Sequence, residues 1–439
     1  MRRIILSLAL LVTIPVSAGA QQPIAITLKQ AVDAALEPDG NTRIQLAEQM
    51  VRQADARTAL ARASLLPDMS AAIGQQSRTI NLSAYGLQSS DLPTVVGPYS
   101  TFDARATMTQ KIVDLSSLRN YKAARVGADA ARHENESVKD QTSADVARYY
   151  LAAVRAQAVV DTAHANMDLS QALLRLATSQ KEAGTGTGIE VTRAQVQLAN
   201  DRQALLAAQT QFSKASLELL KAIGFELDAQ IELTDRLSYA SIDAITIKQA
   251  VTVALESLES LKAQRLREQS ASLHHSAVRL ERMPSIVGFA EYGTTGMRAS
   301  QSSPTRTVGA SLRIPLFDGG ARDARRAESL SEFKEESVRT SDLIRETELK
   351  IRVAIDAIHS AEAQVEAAED GLNLSTNELE QAQRRYQAGV AYSVEVTDAQ
   401  TRLQRARDNR ISAIFSHALA RIDLAAAMGT IQELVTTWR

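Results

Sequence analysis

The feature that most limits the fold is an unbroken seam of small and apolar residues. From Leu330, steps of three and four alternate through Phe333, Ser337, Thr340, Ile344, Thr347, Ile351, Ala354, Ile358, Ala361, Val365, Ala368, Leu372, Ser375, Leu379, Ala382 and Tyr386. None of these residues is charged, in a chain that is 23% charged. A repeat of three and a half residues is a coiled-coil seam. Asp318-Gly319-Gly320 precedes it and Gly389 follows it. About 68 helical residues at 1.5 Å each predict a rod of roughly 100 Å, far longer than a small domain is wide. Apolar residues off the seam (Leu343, Val353, Ile355) predict neighbours on two sides, as in a closed ring of helices.

Proline placement agrees. The nine prolines fall at 15, 23, 38, 67, 93, 98, 284, 304 and 315, which leaves 99–283 and everything after 315 free of them. Proline breaks helix interiors, so these two stretches are open to long helices.

The chain is a duplication. Ile26-Thr27-Leu28-Lys29-Gln30-Ala31-Val32 returns as Ile245-Thr246-Ile247-Lys248-Gln249-Ala250-Val251. Ala183-Gly184, then Glu190-Val191-Thr192 and Ala194-Gln195, return as Ala388-Gly389, Glu395-Val396-Thr397 and Ala399-Gln400. The offset falls from 219 to 205, which places a longer loop between Pro67 and Gln110 in the first half. Two such matches in the same order define two repeats. The first occupies 21–224, with strands about 68–78 and 101–113 and long helices 115–183 and 189–224. The second occupies 245–430, with strands about 285–292 and 306–316 and long helices 320–388 and 393–429. A linker, 225–244, joins them, and a tail, 431–439, ends the chain.

The strands alternate with period two. Along 101–113, Phe102, Ala104, Ala106, Met108 and Ile112 share one face, opposite Asp103, Arg105, Thr107, Thr109 and Lys111. Along 306–316, Val308, Ala310, Leu312, Ile314 and Leu316 oppose Thr307, Gly309, Ser311 and Arg313. About eleven residues is the length a tilted barrel strand needs to cross hydrocarbon. Tyr85, Tyr99, Phe102, Phe289 and Tyr292 are candidates for an interfacial aromatic girdle.

The N-terminus sets the compartment. Arg2 and Arg3 precede an apolar run, Ile4 to Val16, and Ala18-Gly19-Ala20 supplies a small-residue cleavage site. Residues 1–20 therefore read as a secretory signal peptide. The chain has no cysteine, which excludes disulfides, thiolate metal sites and a thiol nucleophile. Net charge is −2 with mixed signs, so no basic patch points to nucleic acid. No later run of 18 residues is uniformly apolar, so membrane crossing falls to a β-barrel. Gly184-Thr185-Gly186-Thr187-Gly188 follows a helix and lacks the lysine of a phosphate loop. Adjacent His274 and His275 cannot share a helix face, and no cluster suits catalysis. The expectation is a protein with no enzymatic activity, cofactor or metal.

Each protomer offers four strands, too few to close a barrel, and lipid does not tolerate an open strand edge. Two, three or four copies must pool strands, and a barrel continuous with a helical tube is a conduit. The alternative, a periplasmic coiled-coil scaffold without a pore, leaves the amphipathic strands unexplained.

The order of elements, the duplication, the Ile314-Pro315-Leu316-Phe317-Asp318-Gly319-Gly320 lead-in and the paired Ala-Gly-x5-Glu-Val-x-x-Ala-Gln turns resemble the TolC-like outer-membrane efflux proteins. The likeness covers essentially the whole chain after residue 20. It implies a mainly α fold with a β-barrel part: a homotrimer whose coiled-coil helices form an α-barrel through the periplasm, above which four strands per protomer build a twelve-stranded outer-membrane barrel. It implies a periplasmic adaptor and an inner-membrane transporter as partners, in efflux or type I secretion. By the same resemblance, Gly184-Thr185 and Gly389-Val390 match the tips that meet the adaptor. Glu395 and Asp398 match the acidic rings of the closed entrance, and Glu190 is the first-repeat counterpart. Three residues apart, the two acids share a helix face. Unit charges about 8 Å apart in water repel by roughly 0.5 kcal/mol, which favours cations in such rings. Where some members carry an arginine four residues before the first acid, this chain has Ala391, and Tyr386 or Tyr392 is the candidate for holding the gate instead.

Overall fold

The computed structural model describes residues 24–38, 40–86, 93–241 and 245–438; the expected signal peptide lies outside them. The first repeat runs β1 (Ile24–Ile26), α1 (Leu28–Leu36), α2 (Thr42–Ala63), β2 (Asp68–Asn81), β3 (Val95–Val113), α3 (Leu115–Glu182) and α4 (Gly188–Ile223). A short strand, β4 (Ile231–Leu233), sits in the linker. The second repeat runs α5 (Ile247–Ser257), α6 (Glu259–Leu280), β5 (Ser285–Gly296), β6 (Ser302–Arg313), α7 (Ala321–Gln387) and α8 (Ser393–Met428). The predicted tail is itself a helix, α9 (Ile431–Thr437), because Ile431 and Val435 are apolar one turn apart and both are buried.

The heptad seam behaves as a seam. Thr340, Thr347, Ile351, Ala354, Ile358, Ala361, Val365, Leu379, Ala382 and Tyr386 are all buried. Nearer the strands it opens: Leu330 and Ser337 are exposed. Of the off-seam residues, Ile355 is buried while Val353 is 58% exposed, as are Val338, Leu349 and Leu374 by similar amounts. A single protomer therefore leaves α7 with an uncovered apolar side.

The duplicated segments start helices α1 and α5 for the same reason. Thr27 and Thr246 each cap their helix, and Gln30 and Gln249 reach back to the cap, forming paired capping boxes. The largest core lies at mid-height. There β1 pairs parallel with β4, and α1, α9 and parts of α3, α4 and α8 close around Tyr150, Leu28, Leu219 and Ile422. The Tyr150 hydroxyl lies 2.9 Å from the Ile26 carbonyl and 2.8 Å from Asp235, with its single proton shared between the two acceptors. Helix α8 is long and apolar enough on average, by length and composition, to cross a membrane, although Arg421 and Asp423 keep it from being uniformly apolar; half of its most apolar window is buried inside the protomer. Its apolarity serves this core.

The four longer strands form one antiparallel sheet in the order β2-β3-β5-β6. They run past the predicted ends. Strand β3 starts at Val95, through Pro98, because its first residues pair with β2 alone; β5 joins only at Phe102. A proline is tolerated where one side needs no ladder donor. Strand β6 spans 302–313 rather than 306–316. Pro304 is accommodated on this edge strand, and Pro315 stops the alternation that Ile314 and Leu316 continue in the sequence. The register puts Met69, Met108, Ala290 and Val308 on one face. The opposite face carries Ser70, Thr107, Glu291 and Thr307, with Arg105 bridging Asp103 and Glu291. Phe102 and Tyr292 lie on the apolar face. Phe289 and Tyr99 do not: Phe289 shares the polar face with Thr109 and packs over Gly309, so it leaves the proposed girdle.

Candidate functional site

The tips form because each long helix ends in the same reversal. At the end of α3, Thr185 N–H donates to the Gln180 carbonyl and Gly184 N–H to Lys181, at 2.9 and 3.1 Å. At the end of α7, Val390 donates to Arg385 and Gly389 to Tyr386, both at 3.0 Å. These are paired Schellman caps, which satisfy the orphan carbonyls and need a left-handed residue. Gly184 and Gly389 supply it, with φ of 77° and 73°. A side chain would meet no neighbour at either position, so the requirement is conformational. The caps leave Thr185 exposed, together with Val390 (68%) and Tyr392 (81%).

The three acids sit differently. Glu190 is in the first turn of α4 and its carboxylate accepts the Thr187 N–H at 3.0 Å, closing a reciprocal cap. Glu395 holds the same place in α8, but the cap residue there is Tyr392, which offers no side-chain acceptor to the helix. Its carboxylate instead lies 3.1 Å from Arg385 Nε, both side chains about half exposed. Asp398 is exposed and has no ion pair among the described residues. Both α8 acids are thus open to solvent; Glu395 lies in the first turn, next to the N–H groups that favour negative charge, and Asp398 lies three residues further along the helix.

Tyr386 and Tyr392 part company. Tyr392 is out in solvent; Tyr386 is 5% exposed, packed with Leu379, Ala382, Val396, Ala399 and Leu403 and against Leu173 of α3. Burial, and then the negative charge of Glu190, push its phenol above the ordinary value. Glu190 and Tyr386 line one small cavity with Ser393 and Gln400. Tyr386 therefore ties the two helical hairpins of one protomer together.

A polar network escaped the sequence reading. The Gln400 amide of α8 donates to Ser170 Oγ of α3 at 2.8 Å, Ser170 Oγ donates to Asp201 of α4, and Gln197 donates to Asp201 at 3.1 Å. Ser170, Asp201 and Gln400 are 1%, 3% and 4% exposed. Its members are far apart in sequence. No local signal marks Asp201, which lies between Asn200 and Arg202-Gln203 in α4.

The Outer membrane efflux protein family model matches residues 33–225 and 250–430, one segment in each repeat. The pyoverdine export outer membrane protein OpmQ of Pseudomonas putida is 26% identical over 387 residues, covering 86% of this chain and 81% of that protein. Protein CyaE of Bordetella pertussis is 25% identical over 414 residues, covering 92% and 85%. The crystal structure of the outer membrane protein VceC of Vibrio cholerae superposes with a TM-score of 0.78 at 18% identity, over 92% of this chain and 96% of that one. The fold, with its paired sheet and long helical hairpins, and the two matched segments agree: the chain belongs to the outer membrane efflux protein family.

Proposed function

We propose that three copies of this chain form the exit duct of a tripartite efflux or type I secretion system, in the outer membrane and reaching into the periplasm. One observation carries the reading. The sheet β2-β3-β5-β6 ends in two strands without a further partner among the described residues, and it continues into helices of 68 and 67 residues. In lipid those edges must pair, so β6 of one copy meets β2 of the next, and three four-stranded sheets make twelve strands. The uncovered side of α7 then faces the neighbouring copy, and the helices complete a tube.

In this reading the apolar strand face meets lipid and the Arg105 face lines water. Glu395 and Asp398 form stacked rings at the periplasmic entrance, with Glu190 beside them. The tips Gly184-Thr185 and Gly389-Val390 receive a periplasmic adaptor, which docks the duct on an inner-membrane transporter. The adaptor favours a splayed arrangement of the 321–430 helices, and the duct consumes no energy. Fractionation tests the assembly: the protein should appear in the outer membrane as a trimer that dissociates on heating. A monomer in the soluble periplasmic fraction would refute it.

A further inference from the structure

The apolar face of the sheet carries one charge. Arg306 of β6 pairs with Tyr292 of β5, and both project from the face of Met69, Met108 and Val308. No other charged residue of the paired β2, β3, β5 and β6 positions lies on that face; Asp103, Arg105, Lys111 and Glu291 all lie on the other. Arg306 is exposed, and Tyr292 is 70% exposed. Directly paired residues of an antiparallel sheet hold their Cβ atoms about 5 Å apart, so the guanidinium and the phenol share one patch of wall. A guanidinium keeps its charge in hydrocarbon and has to reach a polar partner. The wall supplies no carboxylate on this face. Glu291, beside Tyr292 in the chain, turns to the other face, where Arg105 holds it at 3.1 Å. Closing the barrel brings β2 of the next copy beside β6, and the same face of β2 offers Met69, Ala71, Ile73, Gln75 and Ser77, all uncharged.

The partner therefore comes from the membrane. Helix α6 leads into β5 and β6 leads into α7, so the Ser285 and Arg313 end of the sheet faces the periplasm and the Gly296–Ser302 turn faces outward. Arg306 is four residues from Ser302, about 13 Å along the strand and roughly 10 Å in depth at a 40° tilt. A long side chain that runs toward water covers much of that depth, and tyrosine is characteristic of the headgroup level.

We propose that Arg306 and Tyr292 form a lipid site on the outside of the barrel that takes the phosphate of an outer-leaflet phosphoglycolipid, one for each copy in the trimer. The guanidinium donates two parallel N–H groups to phosphate oxygens, and the phenol donates to the sugar–phosphate edge. Acyl chains lie along Val308, Ala310 and Leu312, on the same face toward the periplasmic end. A phosphoglycolipid brings a negative charge without the ammonium of a zwitterionic phospholipid, so it meets the guanidinium uncompensated. Strand β6 is the edge that joins the next copy, and lipid held there braces the seam between copies. The site rests on the duct reading, because it needs this face in an outer membrane.

Native mass spectrometry of the trimer, purified in mild detergent and offered lipid A, tests this. The unaltered trimer should retain lipid A, and Arg306→Gln should weaken binding about tenfold, with Arg306→Lys in between. In vesicles, lipid A should raise the temperature at which the trimer dissociates on a semi-native gel. Arg306→Gln should lose that rise, yet dissociate with the unaltered protein in pure phosphatidylcholine. Equal retention of lipid A by the unaltered protein and Arg306→Gln refutes the site. Phosphatidylglycerol held as tightly as lipid A, or lipid A displaced by inorganic phosphate, overturns the glycolipid assignment. Should Arg306→Gln not assemble, Arg306→Lys combined with Tyr292→Phe takes its place, and undiminished retention then refutes the site. An unaltered protein recovered as a soluble monomer overturns the duct reading, and the site with it.

Discussion

Arg385 Nε lies 3.1 Å from Glu395 Oε1, across the turn that joins α7 to α8. The family resemblance set an arginine at 391, where this chain has alanine. Arg385 supplies a cation to the same acid from six residues earlier, within one protomer. Both side chains are about half exposed, so the pair contributes at most about 1 kcal/mol to stability. Its larger effect is electrostatic. Arg385→Ala should leave thermal unfolding within about 1 kcal/mol of the parent and lower the half-blocking concentration of divalent cations roughly two- to fivefold. Conductance titrated with Mg²⁺ on the periplasmic side checks both the direction and the size.

The acids themselves should carry the block. Glu395→Ala combined with Asp398→Ala should abolish inhibition by divalent cations while the trimer remains intact on a semi-native gel. Undiminished block would put the cation-binding ring elsewhere in the tube.

His417 gives a pH signature. It is 1% exposed, with the Tyr239 ring centroid 4.9 Å away. Burial and then Arg421 hold its imidazole below the ordinary range, with Glu362 opposing. A depressed folded value means that the unfolded chain takes up a proton first as pH falls. The stability is present above the ordinary histidine value, near 6.5, and is lost as pH drops through the folded one. Unfolding followed from pH 7.5 to 5 should show a loss of at most about 1.4 kcal/mol per pH unit from this group. His417→Phe should remove that part of the slope.

The two faces of β6 should respond oppositely to charge. Val308 is 79% exposed on the apolar face, and Thr307 points the other way. Val308→Lys should cost about 2–4 kcal/mol if it lies near the bilayer midplane, and reduce the heat-labile trimer recovered from the outer membrane. Thr307→Lys should be recovered normally. Equal losses would mean that the apolar face does not meet lipid.

Much of the architecture was readable because it repeats. The seam from Leu330 to Tyr386 shows in the sequence since charge is kept off one face over about sixteen turns, most of which is dry from Thr340 onward, and each burial choice is local. Strand ends were less legible: Pro98 and Pro304 read as breaks, yet each sits where the sheet leaves one side unpaired. Phe289 was a girdle candidate as an aromatic residue flanking a proposed loop, and the register reveals that it sits among polar neighbours, on the face opposite Tyr292. At the site, the glycine turns and first-turn acids were visible as motifs. Tyr386 was visible as a seam residue, although nothing local showed that it turns inward to Glu190. The Ser170–Asp201–Gln400 network was invisible, because its three members lie on three helices and each looks like an ordinary polar residue on its own.

Sheets with open edges must pool into one water-filled tube, and everything proposed for the duct depends on that closure. Purified from outer membranes and added to a planar bilayer, the protein should give discrete, long-lived current steps that favour cations and vanish when the trimer is dissociated by heat. A preparation that inserts stably but carries no current, before and after both α8 acids are replaced by alanine, would contradict it.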